Sequence, residues 1–567
     1  MSSNLRDFQK TEIKRLKEKI QKADLPVKVK RKAFLEVERL KLISPASGEY
    51  NLIWSYIDWI INLPWKNSSA GRIDVEKLEE VLDKEYFGQK KMKERIYEYF
   101  SIRKLRKEMK GSILCFVGPP GTGKSSLAKA IAQALKRKYL SLNVAGFTEN
   151  RQLKGERNGF SGGQPGAVIK SLREAGCNDP LILLEGVDRI GNGVPKGEII
   201  SALLEILDPE NNQYFIDSYL GLSFDLSRVL FIAKAHNAEE IPDALMDLFE
   251  MVEFTGFIEE EKLEIAKRYI IPSQIKIHGL SQKEVQITDG AIKKIIREYA
   301  IEEGIRVLQR EIITIYRKVA RMRASGEKVF WKILPQSLPK YLGTPVYIPD
   351  IAEKKPEVGL VCGLAWTPSG GDVMFIEGLK MKGSGQVFST GQLGGIIKET
   401  IQTAHSYIRS QASLLGINSK DFTDYDIHIH FPREAVPKDG PSAGIAISLV
   451  IASVMSGMPI RNDMAMSGEV SLRGNVFSVS GIKEKLSAAR RAGIKKVILP
   501  KDNQKSLPDL PQKLREEVEF IWVEKMEEVF ENALIGFRKQ EKLLKAIQKE
   551  VKKLKKKNNR KKRLEGK

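Results

Sequence analysis

The sequence predicts an α/β multidomain protein, and three observations carry that prediction. A domain takes about 150 residues, so the 567 residues hold three to four. Three short apolar runs, ILCFV (113–117), LILL (181–184) and VLFIA (229–233), alternate with helical segments, the pattern of a parallel α/β sheet. From residue 359 the chain changes to β-rich segments, GLVCGLAWT and DVMFIEGL, and then mixes helices and strands to about 535.

The elements follow in order. Residues 8–41 are charged and helical in pattern, and Pro26 breaks them into two helices. In 50–62, Tyr50, Ile53, Trp54, Ile57, Ile60 and Ile61 recur at helical spacing, and Leu63-Pro64-Trp65 ends that helix. This aromatic cluster reads as core packing rather than a ligand cage. Residues 258–325 are almost all helical in pattern. Five prolines and no periodicity make 334–358 a linker. In the tail, Leu544, Ile547, Val551 and Leu554 keep helical spacing among lysines.

The formal net charge is +22, from 94 Lys+Arg and 72 Asp+Glu, which by itself suggests a nucleic-acid or anionic partner. Its distribution weakens that reading. Residues 1–45 carry +7 and residues 538–567 carry +12, leaving +3 for the body, so a central basic groove is disfavoured. Cys115, Cys177 and Cys362 lie far apart without a C-x-x-C pair, which argues against a disulfide framework or a structural zinc site. The first ten residues show no apolar signal region, and no apolar run reaches about 18 residues. The expectation is a cytoplasmic, soluble protein without a membrane span.

Two motifs carry chemistry. Gly118-Pro119-Pro120-Gly121-Thr122-Gly123-Lys124-Ser125 matches G-x-x-x-x-G-K-[ST] between a strand and a helix. Its glycines let backbone N–H groups wrap phosphates at a helix N-terminus. Lys124 would reach the β/γ-phosphates and Ser125 would coordinate Mg²⁺. Hydrolysis also needs carboxylates at the next strand end. That strand reads Leu183-Leu184-Glu185-Gly186-Val187-Asp188, so Glu185 supplies one carboxylate and Gly186 supplies none.

Gly440-Pro441-Ser442-Ala443-Gly444 matches G-x-S-x-G. All five histidines (His236, His278, His405, His428, His430) precede Ser442, so the Ser–acid–His order of the hydrolase elbow fails. A triad of His428, Asp439 and Ser442 is cramped within fifteen positions. A Ser–Lys pair needs no histidine, because burial can lower a lysine pKa toward neutrality. Ser442 precedes an apolar helix whose free N–H groups can stabilise an oxyanion. Lys483 and Lys485 both open a later helix, and spacing does not choose between them. A plain helix N-cap is the other reading of Ser442.

Together the motifs resemble the Lon family, ATP-dependent proteases that fuse an AAA+ module to a Ser–Lys protease domain. The resemblance runs from about residue 10 to 535. PKDGPSAG (437–444) is similar to the family's nucleophile motif and GIKEKLSAA (481–489) to its lysine motif. SGEVSLRGNV (467–476), GLAWTPSGGDVMFIE (363–377), TGQLGGIIKET (390–400), ALLEILDPENN (202–212) and GIRVLQRE (304–311) are further shared segments. The resemblance implies Ser442 as nucleophile and Lys485, the motif's second lysine, as base. Ser467, where Thr is usual, keeps a hydroxyl that can hold the lysine; Asp439 is a further supporting residue. It also implies ATP and Mg²⁺ as cofactors, unfolded or damaged proteins as substrates, and a homohexamer.

The implied organisation is a helical segment (1–85), an AAA+ α/β nucleotide-binding domain (86–257), a helical lid (258–340), a linker (341–358), a Lon-type α+β protease domain (359–535) and a basic helical tail (536–567). Only the helical part of the family's N-terminal region resembles residues 8–85. The tail is expected to be a solvated extension, or more sharply a tether to DNA or RNA.

Departures from the family cluster in the ATPase. Its LLDEID reads LLEGVD here, with Glu185 and Gly186 replacing Asp and Glu. The sensor-1 segment reads Lys234-Ala235-His236, and Leu248 stands in the arginine-finger position. Outside the ATPase, in TGQLGGIIKET (390–400), Gly395 stands where Glu is usual. Arg306 keeps the sensor-2 position. In the substrate-gripping loop Phe160 is kept and Ser161 replaces an aliphatic residue. The expectation is a module that binds ATP and hydrolyses it slowly.

Overall fold

A computed structural model of the chain describes residues 2–69, 74–106, 111–156, 163–190, 196–327, 330–346, 355–367, 370–432, 439–538 and 551. Phe160, Ser161 and nearly all of the basic tail lie outside the described residues. The chain forms two units, residues 1–257 and 258–567.

The first unit opens with helices α1 (Ser2–Lys22), α2 (Val27–Leu40) and α3 (Gly48–Asn62), and Pro26 is the N-cap of α2 as its fixed φ favours. Ser47 caps α3 by accepting the Glu49 N–H, and Leu63-Pro64 ends it because a residue before proline avoids helical ψ. Tyr50, Ile53, Ile57 and Ile60 are buried in the unit's core, as the helical spacing predicts. Helices α4 (Val75–Glu85) and α5 (Lys90–Arg106) precede a five-stranded sheet.

That sheet contains β1 (Ile113–Val117), β2 (Tyr139–Asn143), β3 (Leu181–Glu185), β4 (Leu230–Ala235) and β5 (Phe249–Glu253) in the order β2-β3-β4-β1-β5, all parallel. The three central strands are the apolar runs of the sequence. The two edge strands, YLSLN and FEMVE, were not legible as strands, because an edge strand keeps polar residues on its solvated positions. Helices α6 (Lys124–Ala134), α7 (Ala167–Ala175) and α8 (Lys196–Leu207) connect the strands.

The second unit starts with α9 (Glu259–Ile265), a π-helical turn (Ala266–Ile270), α10 (Ile271–Ile277), α11 (Asp289–Glu298) and α12 (Arg306–Ala324). It is less purely helical than the pattern suggests, since β6 (Val285–Ile287) pairs in parallel with β7 (Trp331–Ile333). The proline-rich linker also needs correction. Pro335–Ser337 and Leu338–Leu342 are helical, with Leu338 and Tyr341 buried. Pro335 and Pro339 sit in first-turn positions, where a missing N–H breaks no hydrogen bond.

A seven-stranded mixed sheet follows: β8 (Leu360–Thr367), β9 (Gly370–Lys382), β10 (Val387–Thr390), β11 (Tyr425–His430), β12 (Met464–Met466), β13 (Lys496–Pro500) and β14 (Glu519–Val523), in the order β10-β11-β9-β8-β12-β13-β14. Alternating side chains build a core on each face. Val361, Met464, Met466 and Ile498 join α13 (Gly395–Ser410) and α14 (Gly444–Ser456), which is buried from Gly444 to Met455. Cys362, Leu364, Val497 and Leu499 join Ile482, Leu486 and Ala489 of α15 (Ile482–Arg491). All three cysteines are free and buried. No helix among the described residues is long and apolar enough to cross a membrane.

Candidate phosphate loop and candidate Ser-Lys site

The phosphate loop joins β1 to α6. Gly118 has φ 143° and approaches the carbonyl of Phe254 so closely that a Cβ would lie 2.1 Å from that oxygen. Gly123 has φ 87°, and a Cβ there would meet the Tyr86 ring at 2.7 Å. Tyr86 donates its hydroxyl to the Thr122 carbonyl at 2.6 Å, and Thr122 donates its own to the Pro119 carbonyl at 2.8 Å. Lys124 is buried, and its Nζ donates to the carbonyls of Gly118 (2.5 Å) and Pro119 (2.7 Å). The loop is therefore braced from outside, and the first N–H groups of α6 have no intrahelical acceptor.

The strand ends beside it hold a cluster. Glu185 ends β3 in direct register with Lys234 of β4. Lys234 Nζ donates to Glu185 Oε2 and to Ser125 Oγ, each at 2.9 Å. Ser141 Oγ donates to Glu185 Oε1 at 2.8 Å, and Ser125 Oγ lies 3.5 Å from the same oxygen. Burial alone would raise the Glu185 carboxyl pKa, but the Lys234 and Ser141 hydrogen bonds hold it below the usual range. Ser125 and Glu185 thus come together as the motif implies, with an ammonium bonded to both.

Gly186 has φ 79°, and a Cβ there would lie 2.8 Å from that of Ala145. Asp188 is buried and accepts the N–H of His236 at 2.8 Å. Burial pushes its pKa up, but the bonds to His236 outweigh that and keep it low. Leu248 packs against the apolar core of the unit. Arg306 is exposed at the first position of α12 in the other unit.

The second site is built around Ser442. It sits in a single 3-10 turn, Pro441–Ala443, that runs directly into α14. Its carbonyl accepts the Gly468 N–H (2.9 Å) and the Ser467 hydroxyl (3.1 Å). A Cβ on Gly444 would lie 2.8 Å from Val470 N, so the motif's last glycine is set by the close approach of segment 468–470. Asp439 bonds neither Ser442 nor a lysine among the described residues. It accepts the N–H groups of Ile397 (3.1 Å) and Gly440 (3.0 Å), so it caps α13.

The two lysines occupy opposite environments. Lys483 Nζ lies 3.5 Å from Glu261 in an ion pair. Lys485 is 2 % exposed, and desolvation lowers its pKa to about 8. Strand β8 touches both the Ser442 turn and α15. His428 and His430 flank the Thr390 hydroxyl at 3.1 and 2.7 Å on the outer part of the sheet rather than packing inside it.

Comparisons with known proteins agree on what these sites belong to. The sequence profile of the Lon protease (S16) C-terminal proteolytic domain matches residues 332–536 and that of the Lon protease AAA+ ATPase lid domain matches 276–330. The ATPase family associated with various cellular activities (AAA) matches 114–257, and the PrkA AAA domain matches 50–149. The Lon protease of Dictyoglomus thermophilum is 44% identical over 532 residues, covering 93% of this chain and 67% of the relative. The chain belongs to the Lon protease family. The Lon protease of Desulforamulus reducens is 46% identical over 516 residues (91% of this chain, 64% of the relative), and Lon protease 2 of Thermus thermophilus is 42% identical over 537 (93% and 67%). The chain spans about two-thirds of the length of these curated relatives. It carries the Lon proteolytic domain, the lid and the AAA module, whose presence implies nucleotide binding.

Within its second unit this Lon family member also shows contacts that sequence reading missed. Helix α9 holds helix α15 through Glu260–Arg490 and Glu261–Lys483, while Trp366 of β8 donates to Glu303 at 2.7 Å. Burial raises Glu303 to about 7. Glu302 accepts the Leu308 N–H at 2.8 Å, so these residues lead directly into the Arg306 helix. Acidic residues at a helix start are ordinary in a sequence, and nothing marked these as interdomain partners. The Lys234–Glu185 pair left one usable signal: each is a charged residue following an apolar run, and the two face each other on neighbouring parallel strands.

Proposed function

We propose that the chain is a Lon-type serine endopeptidase acting on unfolded proteins through Ser442 and Lys485, with an AAA module that binds ATP and hydrolyses it slowly. The observation that carries the protease reading is the burial of Lys485, which lowers its pKa to about 8 and makes it a base near neutrality. Ser442 Oγ attacks the scissile carbonyl carbon as its proton passes to Lys485 Nζ. The departing amine takes that proton when the peptide C–N bond breaks. Water, deprotonated by the same lysine, then hydrolyses the acyl-enzyme. First-turn N–H groups of α14 would face the oxyanion. Ser467 commits its one proton to the Ser442 carbonyl, so its lone pairs remain to accept from the lysine.

ATP would be held by residues Gly118 to Ser125, and it would supply binding energy for assembly into a homohexamer. Slow hydrolysis is supported by Gly186, which brings no carboxylate, and by Leu248, which is packed inward. Where an arginine finger operates, its loss costs about 10³–10⁵ in rate. ATP-driven proteolysis is the second reading, favoured by the match to relatives that bear the Lon protease name.

Cleavage of a fluorogenic peptide by wild type and its absence in Ser442→Ala tests the first reading. Peptidase activity without ATP, together with little ATP turnover, supports slow hydrolysis; turnover stimulated by unfolded casein would favour the second. Gly186→Glu is not expected to raise turnover. The left-handed backbone and the Ala145 contact should instead cost about 1–3 kcal/mol, read as a lowered Tm.

A further inference from the structure

We propose that Lys234 is a built-in cation that takes the place of a divalent ion in the phosphate site, so that the loop accepts a nucleoside polyphosphate free of metal. This inference rests on the reading above that the loop binds nucleotide.

The residues that would ligate magnesium do not fit it. A magnesium ion requires oxygen ligands at about 2.0–2.1 Å in near-octahedral geometry. The protein oxygens that the phosphate-loop motif and the next strand end offer it are Ser125 Oγ and the Glu185 carboxylate. Lys234 Nζ donates to Ser125 Oγ and Glu185 Oε2, and Ser141 takes the remaining Glu185 oxygen. An ion bound to the same atoms would crowd a second positive charge against the ammonium. The ammonium is not a loose surface group. Its side chain is 14% exposed, and its register opposite Glu185 is fixed by the pairing of two interior strands of the sheet. Displacing it would strand a partly buried charge.

What the ammonium supplies differs from what a metal supplies. It offsets the Glu185 carboxylate, so that the positive charge of Lys124 and the α6 N-terminus faces an anionic polyphosphate without an uncompensated carboxylate beside it. It has only N–H donors and no open coordination position, so it cannot chelate β- and γ-oxygens together. Binding is retained and a contribution to hydrolysis is lost.

The test is titration of mant-ATP, and in parallel mant-ADP, into the full chain by fluorescence anisotropy in Mg²⁺ and in EDTA. Wild type is expected to bind with Kd values within about twofold in the two buffers. Lys234→Thr is expected to bind at least about tenfold more weakly in EDTA than in Mg²⁺, as the freed oxygens become metal ligands. Wild-type binding that needs Mg²⁺ by tenfold or more overturns the proposal and leaves the nucleotide-binding reading standing, whatever becomes of the variant. Binding in neither buffer overturns the nucleotide reading and this proposal with it. Comparison of the two nucleotides decides whether the site is built for a triphosphate or a diphosphate.

Discussion

Lys485→Met is expected to abolish peptide cleavage and at the same time to stabilise the fold at neutral pH. The activity loss follows from removing the general base, a contribution of roughly 10²–10⁴-fold. The stability gain follows from the same burial. A lysine lowered from 10.5 to about 8 is charged in both folded and unfolded chains below pH 8. There the native state bears the full desolvation cost, of order 3 kcal/mol for a shift of that size. Between pH 8 and 10.5 the unfolded chain binds more protons, so wild-type stability rises with pH through that window. Methionine fills a similar volume without the charge. Denaturant midpoints at pH 7 should therefore favour the variant, with the difference shrinking by pH 10. The wild-type kcat/KM should climb with pH to a plateau above about 8. An active Lys485→Met enzyme, or a flat profile between pH 6 and 9, would assign the proton transfer elsewhere.

Gly371→Ala, a change of one methyl group, is expected to be nearly as damaging. Gly371 lies in β9 opposite Trp366, and its Cα faces the first turn of α15. An added Cβ would lie 1.9 Å from the Glu484 carbonyl oxygen and 2.9 Å from Lys485 N. Both contacts are backbone, so no side-chain rotation relieves them. The start of α15 must move, and Lys485 moves with it. A misplacement of about 1 Å can cost about 100-fold in rate. Peptide cleavage by Gly371→Ala should fall by at least that factor, while mant-ATP binding in residues 1–257 is unchanged. Retention of most of the peptidase rate would mean that α15 accommodates the methyl group without shifting the lysine.

Much of both sites was legible before any coordinates. The phosphate loop is contiguous, and its function lies in backbone N–H groups that glycines and a helix start present locally. The Ser442 turn is similar, a small-residue segment opening an apolar helix. The Pro26 and Pro64 boundaries and the three central strands were equally local. Edge strands β2 and β5 were missed because solvation on one side breaks up their apolar pattern. Prolines mark breaks only where an N–H is needed, and Pro335 and Pro339 occupy helix first turns, so the stretch is helical as far as Leu342.

Asp439 shows a different limit. Its proximity to Ser442 in sequence suggests a supporting role at the nucleophile, yet its carboxylate caps α13, a helix that starts more than forty residues earlier. The Ser467 hydroxyl donates to the Ser442 carbonyl, a contact across 25 residues that no local pattern marks.

The sequence by itself determined the order of modules, the phosphate-loop motif, the G-x-S-x-G segment around Ser442 and the lack of a carboxylate at Gly186 and of an arginine at Leu248, since each is a matter of which residue stands in a short stretch. Only the tertiary structure decided which of two neighbouring lysines is buried, and that Lys234 bonds both Glu185 and Ser125. Lys483 and Lys485 differ by two positions on one helix, and packing desolvates Lys485 while Lys483 lies beside the Glu261 carboxylate. Lys234 lies 49 residues from Glu185 and 109 from Ser125, and parallel strand register brings the three together. Burial and register are properties of long-range packing, and no local pattern encodes them.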